Sequence, residues 1–224
     1  MKKASLKNKV TEMRNLWDGL NKQSATGYIS HLQHGAKWDD QELHLTGIRF
    51  VDRMMERFED YGSIEPSYAR VLEIGCGIGR FLKVLSGRFK EAYGVDISKE
   101  MLATAKEYCL RMPNIRLLQT DGCSLKGIED NSFDYCLSAG VFQHITHIGV
   151  ILNYIREAIR ILKPGGIFLF QFEANRTSAE GKGQLGARIT AEALDTGLKD
   201  TPCAIREISM DPADPIRNMV IVLQ

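Results

Sequence analysis

The sequence predicts an α/β fold: a doubly wound, mostly parallel sheet of seven strands, closed by an antiparallel hairpin and preceded by a helical extension. Three observations predict it. Short apolar runs alternate with helical periods from Arg70 to Phe172, the rhythm of βαβ units whose right-handed crossovers put helices on both faces. That rhythm breaks after Glu173, and the last two apolar runs are joined only by "DPADP", whereas a parallel crossover needs about a dozen residues. The composition, 224 residues with 44% hydrophobic and 25% charged, supports a buried core without disulfides or metal.

Element by element, Val10, Met13, Leu16, Trp17 and Leu20 recur at helical steps, giving an amphipathic first helix from Leu6. "NKQSATGYISHLQHGAK" follows as a polar, glycine-punctuated connection. A second helix starts at Asp39, an acidic N-cap, with Glu42 three positions on and Trp38 and Leu43 at the positions of a hydrophobic staple. Its apolar face runs through Leu45, Ile48, Val51, Met55 and Phe58 until Gly62 stops it. Residues 1–62 therefore read as a helical extension and 63–224 as the main domain.

Within the main domain, "RVLEI" is the first strand, "GRFLKVLSGRF" a helix, "EAYGVD" the second strand and "SKEMLATAKEYCLRM" a helix closed by Pro113. "NIRLLQT" and "FDYCLS" are the third and fourth strands. Ile148, Ile151, Leu152, Ile155, Ile159 and Leu162 mark a long helix; Lys163-Pro164-Gly165-Gly166 is its stop and turn, and "GIFLFQF" is the fifth strand. The polar insert after it holds a helix in its second half, and "CAIREISM" and "NMVIVLQ" are the closing strands.

The formal charge is +1, from 29 Lys and Arg against 28 Asp and Glu, without a basic stripe, so neither nucleic acid nor a membrane is the expected partner. A small-molecule acceptor is expected instead, on a monomer or homodimer. Cys76, Cys109, Cys123, Cys136 and Cys203 are scattered singly, without metal-ligand spacing, and read as reduced thiols with no metal site. No run approaches the ~20 apolar residues of a membrane span, and the first residues lack the apolar core of a secretory signal; the expected location is cytoplasmic.

The chemistry concentrates in "VLEIGCGIGRF". A dinucleotide fingerprint requires G-x-G-x-x-G, its last glycine letting the helix pack on the strand. Here the glycines are Gly75, Gly77 and Gly79, and Arg80 stands where that last glycine belongs. An NAD(P)-dependent oxidoreductase, the alternative enzyme class, loses its most specific element. Asp96 ends the second strand about twenty residues after the glycines, the distance from which a carboxylate accepts from both ribose hydroxyls. Ser98 is the better cap for the helix that follows.

An ordered series of motifs from Arg70 to Phe172 resembles the class I S-adenosylmethionine-dependent methyltransferases, the Rossmann-like seven-stranded type. "VLEIGCGIGRF" resembles their first motif, "YGVDIS" the end of the second strand and "QTDG" the end of the third. "FDYCLSAGVFQHI" resembles the fourth strand and its loop, and "ILKPGG" the turn into the fifth. The resemblance implies S-adenosylmethionine as cofactor, leaving as S-adenosylhomocysteine, held by Glu73, Cys76 and the three glycines Gly75, Gly77 and Gly79, which meet its methionine part, and by Asp96 at the ribose. It gives Asp121 the adenine amino group, Gly122 or Cys123 a backbone contact to the base, and Ile97 and Met101 its faces. Ala139 and Gly140 would present backbone groups to the methionine amine, and Phe142 or Gln143 would line the transfer chamber.

A methyltransferase that mainly aligns its reactants needs a base only when the nucleophile carries a proton near its operating pKa. His144 is the candidate the resemblance singles out, with a structural or cofactor-orienting role standing beside it. His31, His34, His147, Asp39 and Glu42 are further candidates, each equally a surface or capping residue. The N-terminal helices form a lid in this reading, with Trp17, Tyr28 and Trp38 shaping an apolar acceptor pocket alongside Gln143 and His144. The competing reading has these aromatics merely burying the helices. A module that binds the cofactor without turnover carries the same motifs and stays open.

Overall fold

The structure is a computed structural model that describes residues 8–20, 40–62, 64–173, 186–187, 189–211 and 214–224. Its strands are β1 (Arg70–Ile74), β2 (Glu91–Asp96), β3 (Ile115–Gln119), β4 (Phe133–Ser138), β5 (Leu162–Glu173), β6 (Ala204–Asp211) and β7 (Asp214–Leu223). They form one sheet in the order β3-β2-β1-β4-β5-β7-β6. β2 pairs in parallel with β1 and β3, and β4 with β5, whereas β7 runs antiparallel to both β5 and β6. The closing hairpin is therefore present as the short connection requires. The helices are α1 (8–20), α2 (Asp40–Tyr61), α3 (Arg80–Leu85), α4 (Lys99–Tyr108), α5 (Ile148–Ile161) and α6 (Ala191–Leu198).

Two compact units divide the chain, residues 1–122 and 123–224. In the first, Val71, Leu72, Ala92 and Val95 from the strands and Leu82 and Leu85 from α3 are fully buried. α2 packs on α3 by stacking Phe50 on Phe81 with ring centroids 4.2 Å apart, and sets Phe58 edge-on to Phe89 at 6.4 Å. Each such aromatic contributes about 1.5–3 kcal/mol by burial. α2 ends where Gly62 N–H donates to the Phe58 carbonyl at 2.6 Å. The staple Trp38 and cap Asp39, with Tyr28, His31 and His34, lie outside the described residues.

α4 starts as expected, Ser98 Oγ accepting from Met101 N–H at 3.1 Å. It ends at Tyr108, before the run to Met112 that its period suggests. The reason is local: Leu110 and Met112 N–H bond only three residues back, to Glu107 and Cys109, tightening the chain into turns before Pro113.

In the second unit β4 is buried throughout, Asp134 and Ser138 included. Asp134 is compensated by Lys163 Nζ at 2.8 Å. The face of α5 formed by Ile151, Ile155, Ala158 and Ile159 is buried, and Arg156 holds the Gly197 carbonyl of α6 at 2.6 Å. β5 begins at Leu162 rather than Gly166. Its register jumps from Phe133↔Leu162 to Tyr135↔Ile167, so the expected Lys163–Gly166 turn survives as a bulge inside the strand.

Candidate cofactor site

The three glycines all have positive φ: 73° at Gly75, 52° at Gly77 and 84° at Gly79. A side chain at any of them would cost about 1–2 kcal/mol. The turn is stitched to the end of β2, because Gly75 and Cys76 N–H both donate to the Val95 carbonyl, at 2.7 and 3.1 Å. Gly79 N–H then closes on the Cys76 carbonyl at 2.9 Å and α3 begins. Arg80, in the place of the dinucleotide glycine, turns toward α2: its Nη1 donates to Thr46 Oγ1 at 3.3 Å, and its guanidinium lies over the Phe81 ring.

Asp96 joins the two loops that open from β1 and β2. Its Oδ2 accepts from Gly77 N–H at 2.9 Å and its Oδ1 from Ser98 N–H at 2.8 Å. A carboxylate has about four lone-pair sites, so it can accept further bonds beside these backbone donors, as a ribose requires. Burial pushes this carboxyl up from its ordinary value, against the opposing pull of the Ser98, Gly77 and Ile97 N–H donors. The carbonyl of Asp96 accepts from Thr120 N–H at 2.9 Å, which anchors the end of β3 beside it.

Glu73, in β1 just ahead of the glycine turn, is 2% exposed, and its Oε2 is buried without a hydrogen-bond partner. Burial drives its carboxyl well up; Arg80 draws it down and Asp96 pushes it further up. An orphaned carboxyl oxygen next to the turn fits a ligand with a cationic amine. Cys76, by contrast, is a buried thiol pushed far up by the same burial and held as an inert neighbour. All five cysteines are free.

On the nucleoside side, Asp121 is exposed and Gly122 is buried against Ile97, so closely that a Cβ on Gly122 would lie 2.3 Å from Ile97 Cδ1. Met101, 2% exposed, sits in a cluster with Leu43 and Ile78, against which Trp17 packs. Trp17 thus buries α1 on this unit.

The second unit places the remaining residues in and around the loop that follows β4. Ala139 and Gly140 are half-buried, Gly140 with φ 70°. Phe142 is 1% exposed, its ring packed with Phe168 and Phe170. Gln143 is buried, with its Nε2 3.0 Å from His144 Nε2, and its carbonyl accepts from Gly186 N–H at 2.5 Å. Ala187 N–H donates likewise to the Ile145 carbonyl at 2.7 Å, so the end of the polar insert runs along this loop. His147 caps α5, its Nδ1 accepting from Gly149 N–H at 3.1 Å. Cys123 accepts at its carbonyl from Asn153 at 2.8 Å. Glu42 is exposed on α2.

Sequence reasoning missed Arg14 and Asp18. Arg14 Nη2 donates to the Asp121 carbonyl at 3.3 Å, and Asp18 Oδ1 accepts from Ser98 Oγ at 2.5 Å. Their signal was a pair of opposite charges on the same helical stripe as Val10 and Trp17.

An open sheet in this order with its last strand reversed, a left-handed glycine turn after β1 and a carboxylate ending β2, is the class I methyltransferase fold. Residues 72–170 match the family model described as a methyltransferase domain. A demethylmenaquinone methyltransferase of Staphylococcus aureus is 36% identical over 101 residues, 44% of this chain and 40% of that protein. The chain thus matches less than half the length of this curated relative. Among solved structures, a Haemonchus contortus phosphoethanolamine N-methyltransferase aligns with TM-score 0.70 at 15% identity, over 96% of this chain and 48% of its own. Magnesium protoporphyrin IX methyltransferase from Synechocystis, with bound S-adenosylhomocysteine, aligns with TM-score 0.67 at 15% identity, over 93% and 98%. Among the described residues no group of His, Cys, Asp and Glu is placed to hold a metal ion, and no helix is long and apolar enough to cross a membrane.

Proposed function

We propose that the chain binds S-adenosylmethionine and transfers its methyl group to an oxygen, nitrogen or carbon of a small-molecule acceptor. The observation that carries this reading is Asp96, whose two oxygens are oriented by Gly77 N–H on one side and Ser98 N–H on the other. That arrangement fixes a carboxylate for two hydroxyls, as a ribose requires. Glu73 complements the methionine amine, the backbone of Gly75, Cys76, Gly77 and Gly79 meets the amino-acid portion, and Asp121 and Gly122 meet the adenine with Ile97 and Met101 behind them. The resemblance alone adds Cys123 as a backbone contact and assigns Ala139, Gly140 and Phe142 to the cofactor loop. The same resemblance assigns Gln143 and His144 to the acceptor side.

The bound sulfonium supplies an already activated methyl group, so the protein's task is alignment in a dry site, worth about 7–11 kcal/mol of barrier. Asp96 fixes the ribose end, and the glycine turn excludes side chains from the methionine end. His147 spends its Nδ1 lone pair on capping α5, and His144 is the histidine that the resemblance assigns to the acceptor side. Residues 1–62 act as a helical lid on this reading, while the packing of Trp17 on Leu43, Ile78 and Met101 serves equally the competing one, in which α1 is simply buried.

Small-molecule chemistry is supported by the molecules the relatives are named for, demethylmenaquinone in one and phosphoethanolamine in another. Calorimetry with S-adenosylmethionine, S-adenosylhomocysteine and NAD tests the cofactor: the first two bind and NAD does not. Label transfer from methyl-labelled cofactor to a panel of quinols, porphyrins and amines tests the acceptor. Cofactor binding with no transfer to any of them would sink the enzyme reading in favour of a binding module. Deleting residues 1–38 should lower acceptor turnover, and an unaltered turnover number would remove the lid.

A further inference from the structure

α1 touches the nucleoside end of the candidate site at four positions, Val10, Arg14, Trp17 and Asp18, which share one helical stripe. Val10 lies against Gly122: a Cβ on that glycine would be 2.9 Å from Val10 Cγ1. Arg14 holds the carbonyl of Asp121 at 3.3 Å, and Trp17 packs on the cluster of Ile78 and Met101. Asp18 reaches furthest in. Its Oδ1 accepts from Ser98 Oγ at 2.5 Å and from Glu100 N–H at 3.4 Å, taking up the first turn of α4.

Ser98 is fully buried and is shared between two carboxylates. Its hydroxyl donates to Asp18 while accepting from Met101 N–H at 3.1 Å, and its backbone N–H donates to Asp96 Oδ1 at 2.8 Å. A buried hydroxyl has one proton, and Asp18 takes it. The position of the Ser98 backbone, and with it one of the two donors that orient Asp96, is therefore set from α1. Charge alone opposes this arrangement, since Asp18 and Asp96 repel and Asp18 adds to the upward push on the Asp96 carboxyl. The amino end of α4, with its donors directed at both carboxylates, offsets that repulsion.

We propose that Asp18 is a positioning residue for cofactor binding: through Ser98 it holds Asp96 in the geometry that receives the ribose, with Arg14 fixing the adjoining Asp121 loop from the same helix. This rests on the reading of Asp96 as the ribose acceptor. Asp18 touches no part of the cofactor in this account. Its contribution is to keep the two loops from relaxing apart, so its loss is felt as faster dissociation of the nucleoside.

The test uses the full chain with S-adenosylhomocysteine as probe, read by calorimetry for Kd and by stopped-flow fluorescence for the rates. Asp18→Ala should weaken binding about tenfold, chiefly through a faster off-rate, as expected for losing one charge-assisted hydrogen bond that holds the site. Asp18→Asn keeps an acceptor oxygen for Ser98 and should stay within about threefold of the parent. Steady-state assays of the alanine variant should show a raised KM for S-adenosylmethionine with kcat retained. A purely structural residue would instead lower the melting temperature while the folded fraction bound as tightly as before. Should Asp18→Ala not fold, Arg14→Met removes a single bond to Asp121 and should shift Kd the same way by about threefold. A variant that binds and releases S-adenosylhomocysteine like the parent overturns the proposal. A parent chain that does not bind it overturns the cofactor reading instead, so the two failures are distinguishable.

Discussion

Replacing Asp96 by Ala removes the group on which the cofactor assignment turns, and its consequences can be worked from the hydrogen bonds it makes. Two are internal, from Gly77 N–H at 2.9 Å and Ser98 N–H at 2.8 Å. Leaving those donors without their acceptor costs about 1–3 kcal/mol each, about 2–6 kcal/mol together, against the roughly 5–15 kcal/mol of an ordinary domain. Two further bonds are those expected from the ribose hydroxyls, each worth about 1.5–3 kcal/mol because the acceptor is charged. Their loss totals about 3–6 kcal/mol, or a Kd weakened by about 10²- to 10⁴-fold. Calorimetric titration of S-adenosylhomocysteine into the variant, beside a circular dichroism melt to confirm folding, reads both quantities. Asp52→Ala is a control, since it breaks only an exposed pair with Arg88. A folded Asp96→Ala variant that binds within about threefold of the parent would refute the ribose assignment, because one retained hydroxyl bond is already worth more than that.

Glu73→Gln tests the buried carboxyl beside the glycine turn. Burial raises its pKa in the folded state, so its stability contribution is full below the unfolded value and is lost as pH rises through the folded one, at up to about 1.4 kcal/mol per pH unit. Chemical denaturation across pH should show that decline in the parent and a flatter profile in the variant; matching profiles would mean Glu73 is not the titrating group. Gly79→Ala forces a side chain onto a φ of 84° and within 2.9 Å of Cys109 Sγ, and should cost about 1–3 kcal/mol in urea denaturation. His144→Ala should lower kcat by less than about 10²-fold if the histidine orients rather than abstracts a proton, and a larger loss would make it the general base.

How much of this was legible in the sequence follows from the range over which each constraint acts. The glycine turn was readable because backbone geometry is a property of a few adjacent residues: three glycines two apart have few uses, and all three are left-handed here. Asp96 was readable by its distance along the chain from that turn, and the closing hairpin by the shortness of "DPADP". The bulge at Lys163–Gly166 was read only as a turn, since a turn within a strand and one before it share the same residues. Arg14 and Asp18 were invisible as site residues, because they act on Asp121 and Ser98 across 107 and 80 positions of chain. Polar residues on an otherwise apolar helical stripe were their only local trace.

The same distinction separates the two ends of the reaction. A methyl donor common to many enzymes imposes the same demands wherever it binds, a close backbone and a carboxylate for the ribose, so its marks fall at fixed intervals on β1 and β2. An acceptor imposes its demands through whichever side chains reach the methyl group, and these come from elements far apart in sequence. Gln143, proposed above for the acceptor side, has the form such marks would take: buried, in contact with His144, and bonded through its carbonyl to Gly186 some forty positions later. Acceptor specificity should therefore respond most to changes in this loop and in the insert that pairs with it. Exchanging Gln143 for Ala should alter KM for the acceptor while leaving the Kd of S-adenosylhomocysteine within about threefold, since its bond to His144 involves none of the proposed cofactor residues. A variant that lost cofactor and acceptor affinity in equal measure would place Gln143 with the donor instead, and move the acceptor's recognition elsewhere in the chain.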